Sequence, residues 1–529
     1  MPEAPGAPDA RGVPDALIRE ARRRTRRRRL SAVAAAALLI GIAAGLYALH
    51  ARAGPGVIAE TADTPLANLR AFSGHGELAF VSRDQLWVLD GSGATLRHLR
   101  VPAGYTASSP VFSHDGRWLA YVVKSTNENY DGTDQLWIAD ADGNGAHEVP
   151  GVRLTQLVGW SPRADTIALT VGQQLKYPPI QSATAVDLVS PPDRVRTLVR
   201  APADPMSLGG VDAVGGAVWS PAGAALAVAL QGGRAAEIET VPISGSVRPT
   251  VWFASRDAQA VPVVGMRGRV PDEVIPDLAG WWKGWGVAFW IYDFGGVRNL
   301  DSTPLLVIRR AGEQPRLLAQ TLSVGLSDEV AAGPYGKLAL VASSSAGREY
   351  AAGKAVHVCN PTGGGCAPVP EATGWSGPRI GRCRPCTGLP VVPAAGLPGS
   401  GVSEDPAWSQ NGRLLAYEKA PTDDNGAWPS DGWFADHAIY VWNSVTHATR
   451  RVGTIDGSAL PTWSGDGEDL MYESSDGLWL MPIATGKPVE IAHPLYSEAD
   501  WNSKVSHLAS ISFYGQIPWR DQFSWWSGH

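Results

Sequence analysis

Five segments of the chain carry one pattern of apolar and polar positions: PVFSHDGRWLAYV (110–122), VGWSPRADTIALTV (158–171), AVWSPAGAALAVAL (217–230), PAWSQNGRLLAYEK (406–419) and PTWSGDGEDLMYES (461–474). Each places an aromatic residue, then a polar turn, then an aliphatic residue seven positions after the aromatic. The pairs are Phe112/Leu119, Trp160/Ile167, Trp219/Leu226, Trp408/Leu415 and Trp463/Leu470. Trp501/Leu508 keeps the spacing with a weaker turn. AFSGHGELAFV from Ala71 and GWWKGWGVAFW from Gly280 are variants one residue shorter, and AAGPYGKLALVAS (331–343) is a degenerate copy without the aromatic. Many copies precede a second strand-like run with its own aromatic: QLWVLD (85–90), QLWIAD (135–140), AIYVWN (438–443) and GLWLMP (477–482). A turn and a last strand complete a unit of about four short strands.

A four-stranded unit cannot bury both faces alone, so such units stack face to face around a ring, with the aromatic and aliphatic positions where neighbouring sheets meet. The pattern predicts an all-β protein, a β-propeller of four-stranded blades. Nine repeat starts are present, the last short. If the terminal fragments share one closing blade, the ring has eight blades; seven is the alternative. Sixty Gly and 41 Pro in a chain that is still 44% hydrophobic agree with short buried strands joined by many turns.

The motif in PAWSQNGRLLAYEKA and PVFSHDGRWLAYVV, followed by LWIADADGNGAHEV, resembles the repeat of the TolB-like family of β-propellers over most of residues 67–529. The resemblance implies an interaction role in the cell envelope, in import or envelope integrity. The shared residues are mainly those that build blades, so they speak to fold more than to function.

Ahead of the repeats the character changes. Residues 1–29 form a Pro/Ala-rich start and a basic segment ending in RRRTRRRR (22–29). LSAVAAAALLIGIAAGLYALH (30–50) then runs uncharged for the length a helix needs to cross a bilayer. The arginines would stay in the cytoplasm and everything after His50 would lie outside. Residues 1–29 are therefore expected to be cytoplasmic, 30–50 a transmembrane signal anchor, 51–66 a linker and 67–529 the propeller. This places the chain in the cytoplasmic membrane as a single-pass protein. ARA at 51–53 is a small-residue cleavage pattern, and its use would make the chain secreted. An N-terminal span followed by these repeats also resembles membrane-anchored TolB-like proteins of actinobacteria. Since the span accounts for the arginines, and the net charge is −6, no nucleic-acid partner is expected.

Candidate chemistry lies where the repeats differ. PTDDNGAWPSDGW (421–433) is a long insertion holding Asp423, Asp424, Trp428, Asp431 and Trp433; WWKGWGVAFWIY (281–292) puts Trp282 and Trp285 in the turn of its repeat. These are the candidate partner-binding residues, with interblade packing or a solvated loop as the plain reading. DADGNG (140–145) opens like a calcium loop but has no Glu at the twelfth position, and it falls where the repeat needs a turn. No metal or cofactor is expected. Cys359, Cys366, Cys383 and Cys386 share one segment; outside the cell they would oxidise, and the pairing Cys359–Cys366 with Cys383–Cys386 is favoured among three.

No G-x-S-x-G elbow is present, no hydrolase domain is expected beside repeats that run through most of residues 67–529, and SHDGRW departs from the sialidase Asp box by placing glycine directly after aspartate. The expected function is thus a non-catalytic, membrane-tethered, extracytoplasmic propeller with a monomeric ectodomain, binding an envelope protein or polymer. The alternatives are a propeller hydrolase or lyase acting on glycans or peptides, and a sensor signalling through the span to a cytoplasmic partner.

Overall fold

The computed structural model describes residues 64–126, 134–176, 179–201, 213–232, 235–245, 248–254, 274–293, 303–323, 329–343, 355–361, 366–370, 381–382, 390–391, 402–420, 438–452, 458–474, 477–495 and 522–528. The predicted span at 30–50 lies outside the described residues. Among these, no helix is long and apolar enough to cross a membrane.

Apart from the small pair Gly381–Arg382 and Pro390–Val391, the strands form eight antiparallel blades built on four strands each. Blade 2 shows the plan: Tyr105–Phe112 is the inner strand, followed outward by Trp118–Ser125, Gln135–Asp140 and His147–Glu148. The inner strands of the others are Leu154–Trp160 in blade 3, Ala213–Trp219 in blade 4, Val274–Trp282 in blade 5, Val402–Trp408 in blade 7 and Ser458–Trp463 in blade 8. Blade 6 is the degenerate copy. Its inner strand is reduced to Val330–Ala332, and Leu322 and Ser323 of blade 5 pair with the far end of its second strand, Leu338–Ser343.

Blade 1 settles the count at eight. Its inner strand is the C-terminal Phe523–Trp526, which pairs with Glu77–Ser82; Gln85–Asp90 and Thr95–Leu99 follow outward. The two ends of the chain therefore share one blade. A second tie comes from Leu66–Ala67, which adds a fifth strand to the outer edge of blade 8. One expectation changes here: Phe72 is not the inner-strand aromatic of its repeat. It lies in the short helix Leu69–Phe72, buried against blades 8 and 1, and Trp525, directly opposite Leu78, takes the strand position.

The seven-residue spacing has a simple origin. In all five full repeats the aromatic and the aliphatic are direct cross-strand partners: Phe112 with Leu119, Trp160 with Ile167, Trp219 with Leu226, Trp408 with Leu415 and Trp463 with Leu470. In blade 5 the shorter turn makes Trp281, not Trp282, the equivalent residue, paired with Val287. Strand alternation then sends the aliphatic residue and the one two positions later toward the preceding blade. Thus Leu119 and Tyr121 pack on blade 1, while Ala120 and Val122 pack on blade 3.

The indoles do more than fill space. Trp160 Nε1 donates to Val111 O at 3.0 Å, Trp219 Nε1 to Gly159 O at 2.9 Å and Trp463 Nε1 to Ala407 O at 2.9 Å. Each acceptor is the residue just before the aromatic of the preceding blade, so the repeat carries its own interblade hydrogen bond. Trp219→Phe keeps most of the packing and removes this bond. It is expected to cost about 1 kcal/mol, read as a lower denaturant midpoint at unchanged slope.

The turn is equally regular. Ser113, Ser161, Ser220, Ser409 and Ser464 follow the aromatics and are all buried. Where the turn is tight, the serine hydroxyl accepts from the backbone N–H five residues on, as Trp118 N to Ser113 Oγ and Leu414 N to Ser409 Oγ, both at 3.0 Å. Gly116 has φ 67° and its N–H donates to Ser113 O. A Cβ there would also lie 2.1 Å from the Trp526 ring of the neighbouring blade.

A peripheral belt of polar clamps joins the outer strands. Arg97 of blade 1 donates to Asn144 in the third turn of blade 2. His147 Nε2 of blade 2 meets Asp193 of blade 3 at 2.9 Å, Arg196 of blade 3 donates to Ile243 O at 2.7 Å, and Arg450 of blade 7 to Ile483 O at 3.2 Å. The hydrogen bond with Gly145 O, with help from Asp193, raises the His147 pKa. DADGNG therefore serves as a turn whose residues take part in this belt.

Candidate functional site

The predicted site residues fall into three groups. Asp423, Asp424, Trp428, Asp431 and Trp433 lie outside the described residues, as do Cys383 and Cys386. Cys359 and Cys366 form a disulfide across the hairpin of the two outer strands of blade 6, where they are cross-strand partners. Trp282 and Trp285 pack into the interface of blades 5 and 6; Trp285 is buried and its Nε1 donates to Gly336 O at 2.7 Å. The tryptophans of this turn thus do interblade work, on the side opposite to that of Trp281, which packs on blade 4.

The stretch around His114 contains the one group of metal-ligating side chains close enough for an ion among the described residues: His114, Asp115 and Asp165. Arg117 donates to both carboxylates and sits between them where a cation would. Burial raises the Asp115 pKa, but hydrogen bonds from Ser113 and Arg117 outweigh it and hold the carboxyl down at about 2. His114 is exposed. The arrangement is a salt-bridged blade corner.

The inner strands carry what the repeats do not share. A cavity of about 410 Å³ opens among blades 6, 7, 8 and 1, lined by Val330 to Ala332, Asp405 to Trp408, Gln410, Leu460 to Trp463 and Phe523. Its lining includes two tryptophans, a phenylalanine and smaller apolar residues, with Gln410 and Thr462 as neutral polar residues and Asp405 as its charged one. Asp405 is buried, and its backbone N–H donates to Glu329 Oε2 at 3.2 Å across the interface of blades 6 and 7.

Local backbone explains why Asp405 is there. It has φ 46°, in the left-handed region, as do Ser109 (φ 51°) and Leu460 (φ 54°). All three stand three residues before the aromatic, directly before Pro110, Pro406 and Pro461, and the strand register shifts at each. A bulge of this kind re-aims a side chain, and proline fits because it has no N–H to lose from the ladder. A non-glycine residue held this way costs about 1–3 kcal/mol. Blade 7 alone of these three places a carboxylate at the position.

Buried carboxylates extend the acidic character. Glu418 of blade 7 and Glu473 of blade 8 occupy the same place in their repeats, three residues after Leu415 and Leu470. Strand alternation turns Glu418 toward blade 8 and Glu473 toward blade 1. In blades 2, 4 and 6 that place holds Val122, Ala229 and Val341. Together with Glu329, successive interfaces around the cavity each hold a buried acid. The signal was in the sequence as a departure from the repeat, not as a motif.

Trp408 differs from its siblings too. The blade before it lacks the aromatic, and its buried Nε1 has no hydrogen-bond partner among the described residues. Lys337 Nζ lies 5.3 Å from the ring centroid and is held by Gly412 O and Ser444 Oγ. The degenerate blade thus leaves Trp408 Nε1 without the interblade hydrogen bond of its siblings.

The fold and the site define an eight-bladed β-propeller with an acidic, aromatic-walled cavity at its inner strands. No family model matches the chain, and no curated protein matches it. Solved structures that it is similar to include TolB from Acinetobacter baumannii, at 10% identity over 80% of this chain and 64% of that one, with a TM-score of 0.32. Others are dihydro-heme d1 dehydrogenase NirN in complex with DHE (14% identity, 83% and 77% covered, TM-score 0.47) and an oligogalacturonate lyase in complex with manganese (12%, 81% and 100%, TM-score 0.41). Likeness at this level carries nothing about ligand or activity. The fold rests on the eight blades themselves.

Proposed function

We propose that the chain is a binding propeller, tethered to the cytoplasmic membrane by residues 30–50 and exposed outside the cell, whose inner-strand cavity takes a segment of a cell-envelope protein or polymer. The cavity supports this reading: Asp405 and the short inner strand of blade 6 are where its lining departs from the repeat, and Trp408 and Trp463 line it with them. The Cys359–Cys366 disulfide agrees with an oxidising compartment. The runner-up, a hydrolase or lyase acting on glycans or peptides, draws on the same Asp405 and predicts turnover that Asp405→Asn abolishes.

A photo-crosslinking residue at Gln410, on the cavity wall, is expected to give one discrete adduct in envelope preparations. The same residue at Val251, on the exposed outer strand of blade 4, is expected not to give it. Identical adducts from both positions, or none from Gln410, would sink the binding reading.

A further inference from the structure

We propose that Asn144 is a site of self-modification, at which the backbone nitrogen of Gly145 attacks the side-chain amide and converts it to aspartate or isoaspartate. The sequence holds three Asn–Gly pairs, at 144–145, 411–412 and 425–426, and the last lies outside the described residues. Glycine puts no Cβ in the way of the attacking nitrogen at any of them, so the pairs alone do not differ. Their folded surroundings do. The site is independent of the cavity.

At Asn144 each reacting atom is placed to help the step. The nucleophile is free: no hydrogen bond among the described residues engages the Gly145 N–H, and both residues are exposed in the third turn of blade 2. The Arg97 guanidinium donates to Asn144 Oδ1, where negative charge develops as the nitrogen attacks. The departing Nδ2 donates to the Asp142 carboxylate, whose other oxygen accepts from Asn144 N at 3.0 Å. That carboxylate is placed to pass a proton to the leaving nitrogen. At Asn411 the opposite holds. Gly412 N–H donates to Ser409 O at 2.8 Å, so the attacking nitrogen is committed to its turn. Asn411 Oδ1 accepts from neutral donors, Ser409 Oγ at 3.0 Å and Arg413 N at 2.9 Å.

The step needs no co-reactant but water. A bond forms between Gly145 N and Asn144 Cγ, the Cγ–Nδ2 bond breaks, and Nδ2 leaves as ammonia with the proton that Gly145 N gives up. Water then opens the succinimide. Opening at the former side-chain carbonyl gives aspartate; opening at the backbone carbonyl gives isoaspartate. Either product sets a second carboxylate beside Asp142 at the Arg97 clamp between blades 1 and 2. Isoaspartate also lengthens the turn that Asp140 N–H closes on Asn144 O at 2.9 Å.

The test incubates the purified full chain in detergent at neutral pH and follows each Asn–Gly peptide by mass spectrometry, with an isoaspartyl methyltransferase to label isoaspartate. Asn144 is expected to convert about tenfold or more faster than Asn411, and faster than the free peptide DADGNGAHE (140–148). In guanidinium chloride the two sites are expected to convert alike. Arg97→Gln removes the charge at Oδ1; it is expected to slow Asn144 about tenfold or more and to leave Asn411 unchanged. Arg97→Lys keeps a cation there and is expected to restore part of the rate. Conversion of Asn144 no faster than that of Asn411 or of the free peptide would overturn the proposal. So would a rate that Arg97→Gln leaves unchanged or raises, because the neighbours would then not assist. A difference that persists in guanidinium chloride would assign the effect to sequence and overturn the role of the fold.

Discussion

Ending the chain at Gln522 is expected to abolish the cooperative thermal transition of the ring. Phe523–Trp526 is the inner strand of blade 1, and Glu77, Leu78, Ala79 and Phe80 pair with it in register. Its loss strips Phe523 and Trp525 from the core shared by blades 8 and 1, and Trp526 from its seat over Gly116 of blade 2. Large-to-small changes of single buried aromatics cost about 3–5 kcal/mol each. Losing buried Phe523 together with half-buried Trp525 and Trp526 and the strand's hydrogen bonds is on the order of a whole domain's stability of about 5–15 kcal/mol. The chain is expected to keep β-rich far-UV circular dichroism while near-UV tryptophan signals collapse and proteolysis becomes rapid. A truncated chain that melts within a few degrees of the parent would show that Leu66–Ala67 and blade packing suffice to hold the ring.

Acidification is expected to destabilise the ring through His357. This residue lies in blade 6 between Val356 and Val358, is 4% exposed, and its Nε2 has no hydrogen-bond partner among the described residues. Burial lowers its pKa from 6.5 to about 4. The folded state therefore holds His357 neutral, while the unfolded chain takes up a proton once the pH drops below 6.5. Its contribution is fully present above pH 6.5 and is lost progressively as the pH falls toward 4. At about 1.4 kcal/mol per pKa unit the loss reaches roughly 3 kcal/mol. His357→Leu is expected to flatten this slope: the variant gains on the parent between pH 7 and pH 4.5 in paired denaturation curves. Parallel curves over that range would show that His357 is not the titrating group.

Much of the fold was legible because it repeats. An aromatic and an aliphatic residue seven apart, five times over, can be read from one sequence, and in space they are direct cross-strand partners. A blade shared by the two ends was the condition under which nine repeat starts gave eight blades, and Phe523–Trp526 meets it; the repeat start at Trp501 lies outside the described residues. Where the pattern weakened, position could not be read. Phe72 looked like an inner-strand aromatic and is helical, because the closing strand comes from the other end of the chain. In the shorter copy from Gly280 the strand register falls on Trp281, and Trp282, placed in the turn by the sequence, packs toward blade 6. Trp285 looked available in a turn and is buried by the neighbouring blade, a fact that belongs to the interface and not to the segment.

The site was harder to see for a physical reason. Asp405, Glu418 and Glu473 sit in ordinary-looking strands far apart in the chain, and no spacing rule joins residues that meet only because blades stack. SHDGRW came nearer to a known motif, yet Arg117 and the serine turn account for its His–Asp pair. The sequence by itself determined the repeating unit, its turns and the ring they require, since those depend on local hydrogen bonds and on apolar faces that must be covered. Only the tertiary structure decided which strand closes the ring and which acids gather around the cavity. Closure and clustering are set by neighbours across an interface, where chain distance carries no information about distance in space.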